Sequence, residues 1–343
     1  MSVWGNRWLL GILSIVAIGL MLSPPTRPND SATARGLLLV ANKGDHTLGI
    51  IDPNAGRQVA AVPVGGITGH EVVASPDGRT AYVPIYGDSG VGKPGSDGRT
   101  LTVIDVADRR ATKTIDFGRP VRPHCPMFGP RNGLLYVTTE VTNSIDVIDP
   151  HTLTIIASIP TGQKESHMLA ITRDGKRGYT ANVGPGTVSV IDLGAKSVIA
   201  VIPISHQTQR ISLSVDDRLA FTADQTKPQL AVIDTATNTV KTWVPLPALA
   251  YGTAATLDGR WLLVALPEAG KVGVVDLQSL KLVRAIDVPK SPQEVLVRPD
   301  NQVAYASCHE SRKVVAVNLS TWEVEKIIDA GPMADGLAWA KGD

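Results

Sequence analysis

Apolar and polar positions alternate along this chain in short runs, and one stretch shows the pattern most plainly. From Tyr179 to Asp217 the text reads YTAN-VGPG-TVSVID-LGAKS-VIAVIPI-SHQTQ-RISLSVDD. Three apolar, β-branched runs and then a fourth, Ile211 to Val215, are parted by Gly, Pro, Asn and Asp clusters. Runs of this length between turn signals predict antiparallel strands. The aspartate that ends the VID strand recurs as Asp52, Asp105, Asp149, Asp192, Asp234 and Asp276, with Asn318 in the last copy. The spacings are 53, 44, 43 and then 42 three times. Four strands at a fixed period near this length predict a blade of a β-propeller, here written seven times.

The repeats occupy residues 36–343, which is 308 residues or 44 per blade. They begin in mid-repeat, at a second strand from Leu37 to Ala41, and end with Asp335-Gly336-Leu337-Ala338-Trp339-Ala340, which matches an inner strand. The expected fold is therefore all-β: a seven-bladed β-propeller of four-stranded antiparallel blades, closed by a C-terminal inner strand that completes the N-terminal blade. Such a seam leaves no open sheet edge. The blade starting at His70 carries an extra loop, Gly87 to Arg99, which accounts for the long first spacing and predicts a lid over one side of the channel mouth. The dipeptides after the inner strands, such as Asn132-Gly133, Asp174-Gly175 and Asp258-Gly259, predict tight hairpins.

Ahead of the repeats, Trp8 to Leu22 is an unbroken apolar run of 15 residues preceded by Arg7. Its length suits a signal-peptide core better than a spanning helix. Ala32-Thr33-Ala34 offers a small-residue cleavage site, with Pro24, Pro25 and Pro28 between. The alternative is an uncleaved anchor, a membrane tether through residues 8–22. Either reading exports the chain to the periplasm or cell surface. Residues 1–22 are thus leader or anchor, and residues 23–35 a linker rich in Pro, Ser and Thr.

The 33 basic and 32 acidic residues leave a formal charge of +1, which gives no footprint for nucleic acid as partner. Cys125 and Cys308 fall on well-separated blades and are expected to be unpaired thiols.

Tyr136-Val137-Thr138-Thr139, Tyr179-Thr180-Ala181-Asn182 and Leu39-Val40-Ala41-Asn42, each followed by a strand of the V-x-V-I-D type, resemble the YVTN family of β-propellers. Ser75-Pro76-Asp77-Gly78-Arg79 is similar to the family's hairpin, and Ile233-Asp234-Thr235-Ala236-Thr237-Asn238 to its turn between third and fourth strands. The chain resembles an exported YncE-like protein over residues 36–343. Relatives of this architecture include surface-layer proteins, lactonases, a lyase and haem- or quinone-linked redox propellers, so the resemblance implies the fold and leaves several functions open.

In a propeller the residues just before the inner strands share one channel mouth. Aligned, that column reads His70, His124, His167, Gln209, Tyr251, Gln293, Asp335. The chain has only 7 His, so three in one seven-place column far exceeds chance. Three imidazoles with an open position suit a transition metal, Cu or Zn, with Cys125 as a soft fourth donor. Arg119, Arg122, Lys164 and Arg210 suit an anionic small molecule, and the plain alternative is polar capping of a water-filled channel. Neither the G-x-G-x-x-G at Gly90 to Gly95, which has no helix after it, nor His70-Glu71, which lacks a second His, completes a phosphate or zinc motif. No G-x-S-x-G occurs.

The first expectation is a non-catalytic exported recognition or accessory protein, with a small molecule, protein or peptide at the channel face. The alternative is a metal-dependent hydrolase, lactonase or lyase using the same mouth. The second alternative is an auxiliary of a periplasmic quinone- or haem-dependent dehydrogenase.

Overall fold

A computed structural model describes residues 1–2, 35–88 and 90–342; the leader and most of the linker lie outside the described residues. The described chain forms seven four-stranded antiparallel sheets and no helix. In each blade the inner strand is followed outward by the second, third and outer strands. Consecutive inner strands neighbour one another all the way round, which closes the ring.

The seam is the one expected from the repeat phase. Ala334–Lys341 pairs antiparallel with Gly36–Asn42, and Thr47–Asp52 and Arg57–Pro63 complete that blade. The apolar faces of successive sheets interdigitate. Leu39, Leu48 and Ile50 of the seam blade pack with Val72, Val83 and Ile104 of the next. Cys125, Leu169, Tyr179, Val190 and Ile211 join the third, fourth and fifth blades.

The turns after the inner strands are longer than two-residue hairpins. Ser75 N donates to Thr80 O at 2.7 Å, and Gly78 N donates to Ser75 O at 2.8 Å inside that loop. One column of these turns needs left-handed backbone, and it holds Gly78, Gly133, Gly175, Asp217, Gly259 and Asn301. Only Gly, Asn and Asp take that conformation cheaply, so the Asn-Gly and Asp-Gly signals were right about the turn and wrong about its length.

A second left-handed column serves the mouth. Thr68, Arg122, Glu165, Ser291 and Met333 all have positive φ, each two residues before a member of the aligned column. None is glycine, and an L-residue in this region costs roughly 1–2 kcal/mol. Recurrence in five blades makes the bend part of the architecture. It turns the chain abruptly from the rim into the inner strand.

Candidate functional site

Two sets of side chains meet at the mouth. One is the column before the inner strands. The other lies four residues beyond the aromatic or leucine of each second strand, and contributes Lys43, Tyr86, Glu140 and His309.

Arg210, on the inner strand Thr208–Leu213, is only 3% exposed. Its guanidinium reaches the Glu71 carboxylate at 2.6 Å, Glu294 at 2.6 Å and Asp335 at 3.1 Å. It also contacts Met168 Sδ at 3.6 Å and lies over the Tyr251 ring at 4.7 Å. One side chain of the fifth blade thus touches five other blades and closes the channel. Lys43 Nζ adds a second cation 3.6 Å from Asp335.

Three carboxylates face two cations here, away from water, so they do not all ionise. Burial, against the pull of Arg210, pushes Glu71 up to about 8. Glu294 is raised for the same reason. Burial would raise Asp335 too, but Arg210 and Lys43 outweigh it and hold it low. Burial opposes the charge on Arg210, and the surrounding carboxylates more than restore it.

Beside this plug lies an aromatic stack. The His124 and His167 rings are 3.5 Å apart, centre to centre, and tilted by 31°. His70 meets His124 edge-on at 5.3 Å, and Tyr86 contacts His70, His124 and His167. His124 is 1% exposed, and its Nδ1 is buried with no hydrogen-bond partner. Burial holds the His124 imidazole well below its ordinary range, so the ring is neutral. Burial and Lys43 lower His70 to about 3, against the pull of Asp335.

Glu140 ties the stack down. Its carboxylate accepts from Tyr86 Oη, lies 3.1 Å from His167 Nδ1 and stands 3.5 Å from Arg122 Nη1. Burial would raise this carboxyl, but those partners hold it below the usual value. On the far side of the ring, Gln209 Nε2 lies 3.2 Å from His167 Nε2.

Arg122 also holds the extra loop. Its Nε reaches Asp97 at 2.5 Å, Nη2 donates to Lys93 O at 2.5 Å and Nη1 to Gly90 O at 3.3 Å. The residues from Gly90 to Asp97 therefore form a strap across this side of the mouth. Under its edge is a cleft of about 420 Å³ lined by Lys93, Arg122, Glu140, Asn143 and Lys164. A hollow of about 390 Å³ at the opposite face, between Ser214, Asp216 and Asp258, is only a set of hairpin turns. Its polar groups are spent within them: Ser214 Oγ caps Asp216, and Thr256 Oγ1 caps Asp258.

The structure gathers His70, His124, His167, Gln209, Arg210, Tyr251, Asp335 and Arg122 at one mouth. Gln293 turns its amide back to Ser291 at 3.1 Å instead. The expectation of Cu or Zn held by His70, His124, His167 and Cys125 needs correction. Among the described residues no group of three or more His, Cys, Asp or Glu is arranged to hold a metal ion. Ring nitrogens have their lone pairs in the ring plane, so stacked rings send them side by side and not to one point. Both nitrogens of His167 are already engaged. Cys125 turns into the core, its Sγ 3.7 Å from Leu169 O, and burial pushes its thiol up to about 12. Both cysteines are free, as expected. The two arginines are likewise engaged internally, one in the plug and one in the strap.

A family model described as the Cytochrome D1 heme domain matches residues 129–253, a little over a third of the chain. That span holds Glu140, His167, Gln209, Arg210 and Tyr251, and leaves out His70 and His124. No curated protein is matched. Among solved structures the chain is similar to Kuenenia stuttgartiensis hydrazine synthase, at 20% identity over 84% of this chain and 93% of that one, with a TM-score of 0.70. It is also similar to the dihydro-heme d1 dehydrogenase NirN, solved in complex with DHE, at 14% identity over 92% of this chain and 78% of that one, with a TM-score of 0.66. At these identities the likeness is one of fold.

Proposed function

We propose that this chain is an exported accessory propeller of a haem-linked redox system, and that it takes up an iron tetrapyrrole at its His-lined mouth. The observation that carries the reading is His124 Nδ1, a neutral imidazole nitrogen, buried and without a partner, at the channel mouth of a propeller. A buried polar atom left unpaired costs about 1–3 kcal/mol, which a ligand that uses it would recover. The match to the Cytochrome D1 heme domain over residues 129–253 supports the cofactor class, as does the fold shared with NirN. The apolar run from Trp8 to Leu22 supports export, and the repeat text supports a place near the YVTN propellers.

The residues present fit such a group by their donor chemistry. His124 would hold the iron through its unpaired ring nitrogen, and Lys93 and Lys164 around the adjoining cleft, with Arg122 once released from the strap, would pair with peripheral carboxylates. When bound, the tetrapyrrole would supply an iron centre able to exchange one electron. The protein's own part is to exclude water with the strap, keep His124 deprotonated by burial and close the channel floor with Arg210. His124 is 1% exposed, so a ligand reaches it only after neighbouring side chains move, and the strap from Gly90 to Asp97, held by Arg122, is the element this reading assigns to that opening.

The test is a titration of the purified chain with iron protoporphyrin IX and with haem d1, followed by absorbance. Saturation at one equivalent, with loss of the imidazole-ligated spectrum in His124→Ala, is the expected result. Unsaturable binding, or the same spectrum in His124→Ala, would reject the reading.

A further inference from the structure

Three imidazoles reach this mouth, yet they are not equivalent, and one carboxylate makes the difference. Glu140 closes the second strand Leu135–Thr139 and is 3% exposed. A carboxylate can only accept a hydrogen bond, so His167 Nδ1, at 3.1 Å, must be the donor. The Gln209 amide nitrogen can only donate, so His167 Nε2, at 3.2 Å, must be the acceptor. The two contacts demand the same tautomer, with the proton on Nδ1, and they occupy both nitrogens.

We infer that Glu140 is the positioning residue of the mouth: it locks His167 as the Nδ1–H tautomer with Nε2 spent on Gln209, so that His167 has no ring nitrogen to offer while His124 Nδ1 stays unpaired. His167 then serves as a platform, its ring face lying 3.5 Å from that of His124. Tyr86 Oη and Arg122 Nη1 hold the same carboxylate from other directions, which fixes its oxygens toward the imidazole. Among the described residues Glu140 is the carboxylate that pairs with His167.

The inference rests on the tetrapyrrole reading only for its ligand arm, and it is tested first without ligand. Long-range proton–nitrogen correlation spectra of the histidine-labelled whole chain report which ring nitrogen carries each proton. The expected spectrum has a histidine locked as Nδ1–H that disappears in His167→Ala. Glu140→Leu should abolish that signature, and Glu140→Gln should keep it, because an amide oxygen still accepts. A merely structural role for Glu140 would not discriminate between the two. His167 found as Nε2–H in the wild type, or unmoved by Glu140→Leu, overturns the inference. If Glu140→Leu does not fold, the wild-type tautomer and Glu140→Gln still decide it.

The ligand arm uses iron protoporphyrin IX. His124→Ala should weaken binding by about tenfold or more, and His124→Ala with Gln209→Leu should regain most of it, because His167 Nε2 is released. Failure to regain it contradicts the claim that Gln209 withholds His167. If the wild type binds no tetrapyrrole, the functional reading fails, while the tautomer result stands or falls by itself.

Discussion

Arg210→Met is the perturbation that most directly probes how the mouth is built. Methionine keeps much of the side-chain length and removes the charge, leaving Glu71, Glu294 and Asp335 facing one another with only Lys43 nearby. Breaking a buried ion pair from one side costs about 3–5 kcal/mol. At about 2–4 °C per kcal/mol for a large domain, the melting temperature should fall by roughly 6–20 °C. The loss should depend on pH. Glu71 and Glu294 already titrate above their unfolded values, and without Arg210 they rise further. A carboxyl whose folded value is raised stabilises fully below its unfolded pKa and loses that contribution as pH rises through the folded one. The variant should therefore lie closest to the wild type in mild acid and fall furthest behind above about pH 8, the value for Glu71 in the intact plug. Thermal melts of both proteins across that range measure the gap. Adding Glu71→Gln, Glu294→Gln and Asp335→Asn should return most of the stability, because the cost lies in the unpaired charges. A gap under about 1 kcal/mol, the scale of an exposed pair, or one that does not change with pH, would refute the reasoning.

Two further outcomes follow from burial and from the seam. Cys125 and Cys308 are both pushed up to about 12 by burial, so the native protein should resist thiol reagents in mild alkali and react at two sites only in denaturant. Prompt labelling of either thiol in the native state would contradict their placement. Deleting residues 334–343 strips the inner strand from the seam blade and bares the edge of Gly36–Asn42. The truncated chain should aggregate on expression, and size-exclusion chromatography beside the intact protein measures the difference; an unchanged elution profile would contradict the seam's role.

The architecture was legible because each blade repeats the same register, and the phase at the two ends dictated the seam. The three histidines were legible for the same reason: equivalent positions in a ring converge on its axis. Hydrogen-bond partners were not legible from a single aligned column. Glu140, Tyr86, Lys43 and His309 belong to a second column, four residues past the aromatic or leucine of each second strand, whose other members are Val183, Gln225 and Pro267. Aligning that position as well would have exposed the carboxylate that spends His167. The metal expectation failed at a finer level, because spacing brings rings together without saying whether they meet by their edges or their faces. Arg210 illustrates the same limit. As a basic residue at a mouth it suggested a ligand anion, and only coordinates reveal that three carboxylates of the protein already surround it.

With that guanidinium stopping the bore, the pore is a cul-de-sac. On the proposed reading, uptake and release share the side of the ring that carries the strap hung from Arg122. Residence time and uptake should consequently change together when the strap is loosened.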